Sequence, residues 1–263
     1  MENAVIIGGL RTPVGRLLGK LSGFSAPRLG SFVIKELIKR FRLKSLVDEV
    51  IMGNVISAGV GQNPARQAAL IAGLPDSINA FTVNKVCASG LKAVALGAEA
   101  IMLGEAKIVI AGGMESMSSA PFLIREMRRG KRYGDAKIED SMVYDGLWDC
   151  YYGAHMGALC EHTVNKYKIT RGQQDSFALK SHRKAVRATE EGLFRDEIVP
   201  IDVEGEIIDT DGTIRRDTSL KKLSRLEPVF KMNGTMTAGN SPGLSDGAAA
   251  VILMSRRMAD ELK

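Results

Sequence analysis

Short apolar runs that stop at glycine, alternating with helix-patterned stretches, set the limits on what this chain can become. Residues 4–7 run into Gly8-Gly9, residues 49–52 into Gly53-Asn54 and residues 107–111 into Gly112-Gly113, while residues 81–86 form a further such run. Runs of that length, bounded by turn residues, read as buried strands. Val33, Leu37, Ile38 and Phe41 recur at helical spacing among Lys35, Glu36, Lys39 and Arg40, the pattern of a helix with one covered face. Asn63-Pro64 starts a second helix over 65–73, with proline at the first helical position, where its missing N–H is no loss. A third helix over 88–103 is apolar nearly all round, with Lys92 and Glu99 its only charges, and is expected to be buried in the core. Repeats of this kind imply an α/β class, a layered βαβαβ core with its strands covered on both faces.

After Ser118 the texture changes. Residues 121–239 are more polar, with Gly, Asp, Arg and Tyr in irregular stretches and two expected helices, 155–167 and 171–191. Thr170-Arg-Gly-Gln173 opens the second as a capping box, in which the Thr hydroxyl and the Gln amide satisfy free N–H groups. Residues 247–254 are small and apolar again and read as a strand returning to the core, followed by a helix from Arg256. The expected organisation is a core over 1–119, an inserted loop domain over 120–239, and a return strand with the start of a helix over 240–263.

Composition narrows the function. At 45% hydrophobic and 25% charged, the chain has the make-up of a folded globular protein, and disorder as its main state is excluded. No uninterrupted apolar run approaches the ~20 residues of a membrane-spanning helix, and no signal-peptide pattern opens the chain. Three cysteines are too few for a disulfide framework, and Cys87, Cys150 and Cys160 match no zinc-ligand spacing, so neither metal nor membrane is expected and the location expected is cytoplasmic. The net charge of +6 raises the question of nucleic acid, but aromatics are only 5% and no recognised nucleic-acid motif occurs. The basic residues gather at 125–132 and 215–225, either as solvated faces or bordering a site for a small polyanion.

Val86-Cys87-Ala88-Ser89-Gly90 is the sharpest local feature, a cysteine joining a strand to an apolar helix. A thiol at a helix N-terminus meets free backbone N–H groups and the positive end of the dipole, which favour a thiolate. On the residues alone two readings stand, an inert apolar thiol or a nucleophile beside small neighbours that admit a substrate. Cys150 and Cys160 lack such a placement. His155-Met156-Gly157 opens a helix, and His162 and His182 lie on polar stretches and read as surface. The loop 237–247, built of small and turn-forming residues, is either a structural turn or a place where a ligand lies against backbone.

Together these stretches are more specific than any one alone. Val83-Asn-Lys-Val-Cys-Ala-Ser-Gly-Leu-Lys92, Ala111-Gly-Gly-Met-Glu-Ser-Met-Ser118, Gly61-Gln-Asn-Pro-Ala-Arg-Gln67 and Thr237-Ala-Gly-Asn240 with Asp246-Gly-Ala-Ala-Ala250 resemble the thiolase family in content, order and separation. His155-Met156-Gly157 is similar to the acetyl-CoA C-acetyltransferase group within it. The resemblance implies a thiolase-like layered fold and an acyltransferase that forms or cleaves acetoacetyl-CoA through an acyl-cysteine. It places Cys87 on the nucleophile and the Cys87 N–H on one donor of an oxyanion hole. It places Leu147, His155, Met156, Arg215, Phe230, Ala238 and Leu244 along a coenzyme A channel. Acetyl-CoA and CoA are then substrates and no cofactor is implied. The loop domain would cover the active site and take part in homo-oligomer assembly.

Some positions depart from the family pattern: Pro242 replaces a serine common in the pantetheine-contacting loop, and Leu159-Cys160 is a bulkier pair before Glu161. The family also carries a second core half with Asn-Glu-Ala-Phe, Gly-His-Pro and Cys-x-Gly motifs, and none of these occurs in the 263 residues. The expectation is therefore the N-terminal core half with its loop domain, limited by itself to acyl transfer. The alternative is a non-catalytic or split half-thiolase that binds CoA and needs a C-terminal partner. A decarboxylating ketoacyl-synthase type is disfavoured by the Gly-Gly-Met-Glu-Ser-Met-Ser stretch.

Overall fold

The computed structural model describes residues 2–43 and 45–262, and the chain divides into two compact units. The first contains the chain up to Phe122, Arg195–Gly212 and the described residues from Ser245 onward; the second contains Leu123–Phe194 and Thr213–Leu244. The stretch expected as one excursion over 120–239 is thus interrupted, because Arg195–Gly212 belongs with the core. Backbone pairing explains the return: the Val199 N–H donates to the Arg11 carbonyl, and the Arg11 N–H to the Glu197 carbonyl, both at 2.8 Å. The Arg11 guanidinium then grips Asp211 with two N–H groups at 2.7 and 3.0 Å and Glu197 with its Nε at 2.7 Å. A planar fork matched to a carboxylate is among the stronger charged hydrogen-bond geometries.

Among the described residues six strands build the sheet of the first unit, five long ones, β1 (Ala4–Arg11), β2 (Glu49–Gly53), β3 (Asn79–Val83), β4 (Ile108–Ser116) and β5 (Ser245–Ser255), and the two-residue Gly15–Arg16, which pairs with the start of β5. The spatial order of the five long strands is β1-β5-β4-β2-β3. β2 is parallel to β3 and β4, whereas β5 runs antiparallel to both its neighbours, pairing Ala4↔Ser255 to Arg11↔Ala249 on one side and Ile108↔Met254 to Ser116↔Asp246 on the other. Side chains alternate between faces with the period of a strand. Val50, Met52, Ile108, Ile110, Ile252 and Met254 pack with α1 (Ala26–Arg40) and α2 (Pro64–Ile71). Ile51, Val109, Ala111 and Leu253 pack with Ala93 and Ile101 of α3 (Ser89–Leu103). The layered α/β class follows directly. The helix expected from Arg256 is present as Arg256–Glu261, and Lys263 lies outside the described residues.

Three local expectations are corrected. The glycine pairs do not end strands: Gly8-Gly9 lies inside β1 and Gly112-Gly113 inside β4. A Cβ on Gly112 would stand 2.0 Å from the Ala249 carbonyl oxygen, and one on Gly8 would stand 2.2 Å from the Phe41 ring. These glycines are there for close packing. The third apolar run stops pairing at Val83, because the chain turns at Val86, whose φ of 50° is left-handed. Finally, α3 is not buried all round. With the turn before it, the span Val86–Leu103 is long and apolar enough, by length and composition, to cross a membrane. Yet only the stripe Ser89, Ala93, Gly97 and Ile101 is buried, while Leu91, Met102 and Leu103 are exposed. The stripe is small because the helix lies close on β4 and β5, where a Cβ on Gly97 would meet Leu253 and Val109 at about 3 Å.

In the second unit, α4 (Met156–Tyr167) and α5 (Arg171–Glu190) are joined by a short turn. The Thr170–Gln173 capping box is formed, the Thr170 N–H donating to the Gln173 side-chain oxygen at 2.8 Å. Among the described residues, the buried hydrophobic side chains of this unit are Val164, Leu179, Leu223 and Met236. So small an apolar core leaves polar contacts to order the loops.

Candidate active site

In the first unit, Cys87 is exposed and directly precedes Ala88, the N-cap of α3. The strand-to-helix junction expected at Cys87 is therefore present. Cys150 is also exposed, on a turn of the second unit, and Cys160 is half-buried with its sulfur 3.5 Å from the Met236 sulfur. Behind the junction, Glu115 of β4 reaches the loop after β2. It accepts from the Asn54 amide at 2.7 Å and from the Val55 N–H at 2.9 Å. Burial pushes the Glu115 carboxyl up, against the pull of those donors. Just past the end of that strand, Ser118 donates to the buried Asp246 through its N–H at 2.9 Å and its hydroxyl at 2.6 Å.

The second unit holds the other candidates. His155 is the N-cap of α4, its Nδ1 accepting from the Gly157 N–H at 3.1 Å. Its ring stacks on Phe230, with centroids 4.8 Å apart and planes inclined by 23°. Gly157 is buried against Phe230, so that any Cβ there would enter the ring. Arg215 is exposed and donates from Nη1 to the Ala238 carbonyl at 3.1 Å. Met156 follows His155 at the start of α4, Leu147 ends the π-helical turn Met142–Leu147, and Leu244 is half-buried before β5. The structure thus brings together His155 with Phe230 and Arg215 with Ala238.

Sequence reading missed the groups that hold these positions. Glu161 is buried on α4 and accepts from the N–H groups of Thr235 and Met236, each at 2.6 Å, and from the Thr235 hydroxyl at 3.0 Å. Burial works to raise its carboxyl, but the two amides, the hydroxyl and the charge of Lys231 outweigh it and hold the group below the ordinary carboxylate value. Asp175, also buried, ties the Asn240 amide at 2.9 Å and the Arg171 guanidinium at 2.9 Å. The Asn240 side-chain oxygen in turn accepts from the Thr237 N–H at 2.7 Å. Two carboxylates therefore clamp the loop that carries Ala238. His162 is exposed as expected, whereas His182 is half-buried and accepts from the Arg215 N–H at 3.2 Å. Burial, and then the charge of Arg215, keep its imidazole below the ordinary histidine value. The basic run at 125–132 is partly spent locally, Arg125 on Glu139 and Lys131 on Glu126. Among the described residues, no group of three or more His, Cys, Asp or Glu could hold a metal ion.

The family model described as "Thiolase, N-terminal domain" matches residues 4–257. The chain belongs to the thiolase family. The thiolase match extends over the whole chain: the acetyl-CoA acetyltransferase of Pseudomonas aeruginosa is 50% identical over 268 residues, covering 100% of this chain and 68% of the relative. A probable acetyl-CoA acetyltransferase of Escherichia coli is 48% identical, with 100% and 68% covered. The crystal structure of the Bacillus anthracis acetyl-CoA acetyltransferase superposes with a TM-score of 0.96 at 38% identity, again covering 100% of this chain and 68% of that one. This thiolase chain is thus of an enzyme family, and its sheet order and helix placement follow a known thiolase architecture.

Proposed function

We propose that this thiolase chain transfers acetyl groups from acetyl-CoA through a thioester on Cys87, the first half of the reaction that makes or cleaves acetoacetyl-CoA. The observation that carries the reading is an exposed cysteine at the start of α3, in a chain matched to the thiolase N-terminal domain over residues 4–257. The Cys87 sulfur attacks the thioester carbonyl, a new C–S bond forms, the C–S bond to CoA breaks, and the thiol proton ends on the departing CoA. The Cys87 N–H is assigned to the oxygen that gains charge in between, where a positioned donor is most effective.

Leu147, His155, Met156, Arg215, Phe230, Ala238 and Leu244 are assigned to the CoA channel. The stacked His155–Phe230 pair supports this as a flat apolar wall, and the exposed Arg215 as a cation for the phosphates. CoA thioesters are substrates here, with no separate cofactor.

Condensation with a second acetyl-CoA needs a base to remove a proton next to a carbonyl and a stabilised enolate. The family's residues for that step have no counterpart among the three histidines and three cysteines of this sequence. These 263 residues are therefore assigned acyl transfer alone, with condensation supplied by a C-terminal thiolase half. Homo-oligomer assembly and a cytoplasmic location belong to the same proposal.

The test mixes the chain with acetyl-CoA and follows the acetyl thioester on the Cys87 peptide by mass spectrometry, then adds the C-terminal third of a relative and assays acetoacetyl-CoA. Thioester without added polypeptide, and condensation only with it, is the expected result. CoA binding with no thioester on Cys87 would establish the alternative, a CoA-binding half without catalysis.

A further inference from the structure

The thiol of Cys87 depends for its direction on the backbone that enters it, and that backbone is held in an unusual state. Val86 is β-branched yet adopts a φ of 50°, in the left-handed region where a branched side chain crowds its own backbone. Two side chains secure it from both ends. The Val86 N–H donates to the Asn84 side-chain oxygen at 3.0 Å. The Val86 carbonyl accepts from the Ser89 hydroxyl at 2.6 Å and from the Ser89 N–H at 3.0 Å. The same hydroxyl accepts from the Lys85 N–H at 2.8 Å, so one buried serine spans the turn.

The turn is also fixed from behind. The Asn84 amide donates to the Val55 carbonyl at 3.4 Å, and Val55 is the residue whose N–H is held by Glu115. Gly53 lies so close to Ser89 that a Cβ there would stand 2.6 Å from the Ser89 Cβ. Strain of this sort persists only where its surroundings over-determine it, and it gathers where a side chain must be aimed.

We infer that Asn84 and Ser89 are positioning residues for acyl transfer, holding Val86 left-handed so that the Cys87 thiol is presented at the head of α3. The inference rests on the reading of Cys87 as nucleophile and goes beyond it in naming what aims the thiol. Neither residue is assigned a contact with substrate.

The test measures acetylation of Cys87 by acetyl-CoA across pH in the full chain, for Asn84→Ala, Ser89→Ala and each of these combined with Val86→Gly. Each single variant is expected to lower the rate by about 10²-fold, as a misaimed reacting group does, and to shift the pH profile. Val86→Gly is expected to restore most of the rate, because glycine enters the left-handed region without strain. Parent-like rates and pH profiles in both single variants overturn the inference, as does failure of Val86→Gly to rescue them. Asn84 is exposed, so Asn84→Ala decides the matter should Ser89→Ala not fold. Iodoacetamide labelling of the same proteins separates the two levels. A parent alkylated at Cys87 but never acetylated removes the nucleophile reading, while the ratio of alkylation rates still judges Asn84 and Ser89.

Discussion

α1 and α3 lie on opposite faces of one sheet and bury themselves by different means. α1 carries charges on its outer side and buries Leu29, Val33, Ile34 and Leu37 completely. α3 is far more apolar but buries only Ser89, Ala93, Gly97 and Ile101, leaving Leu91 75% and Leu103 69% exposed. In α1 the apolar pattern and the covered face coincide. In α3 the contact with the sheet is written in small residues, which let the helix axis approach, and the large apolar residues lie elsewhere. Apolarity thus says which surfaces tolerate cover; residue size says which surface is touched.

The largest effect should come from α1. Leu37→Ala is expected to cost about 2–5 kcal/mol, read from denaturant unfolding, as deletion of a fully buried leucine does. A cost near zero would mean that the α1 face is not the main core.

The second unit extends the comparison, since α4 buries a carboxylate where α1 buries a leucine. Glu161→Gln should cost about 1.5–3 kcal/mol at neutral pH, because a charge-assisted acceptor shared by two amides is lost. Glu161 ionises at lower pH in the folded state than the ordinary value of about 4.3 for the unfolded chain. Its contribution is therefore complete above that value and is lost as pH falls through the folded value, so parent and variant should converge in acid. A gap independent of pH would show that geometry, not charge, is what the substitution removes.

Ala93→Leu on α3 should follow, at about 1–3 kcal/mol, since the buried stripe has no room for added methylenes. It should also slow Cys87 acetylation, because lifting α3 moves the residue before its N-cap. Leu91→Glu is the smallest, within about 0.5 kcal/mol, as for surface positions in general. A cost matching that of Leu37→Ala would mean that the outer face of α3 is covered in solution.

Much of the core was legible because strands and helices advertise themselves by period. The helix starts at Asn63 and Thr170 were readable from capping chemistry, and both caps are formed. The glycine pairs misled because a glycine needed for close packing looks the same in sequence as one needed for a turn; Gly112 is recognised only once Ala249 lies beside it. The place of Cys87 between a strand and the head of α3 was legible from the apolar runs on either side. Glu161 and Asp175 were not, since their partners at 234–240 lie far along the chain. One signal was present: Gly157, Glu161 and Val164 fall at helical spacing on the single buried stripe of α4, where a carboxylate demands a partner.

The position of β5 has a consequence for how the protein is made. The strand that sits between β1 and β4 comes after all its partners in the sequence. Until residues 245–255 leave the ribosome, β1 can pair through Arg11 with Glu197 and Val199 but lacks its long partner, and β4 presents a bare edge, so β2, β3 and β4 gather as a parallel trio. Pairing Ala4 with Ser255 then closes a very long loop, a contact of the kind that slows folding and prolongs exposure of apolar edges. Cells making this protein would hold a sticky, half-built sheet until residues 245–255 are in place, and chaperone demand should fall sharply once that strand is threaded.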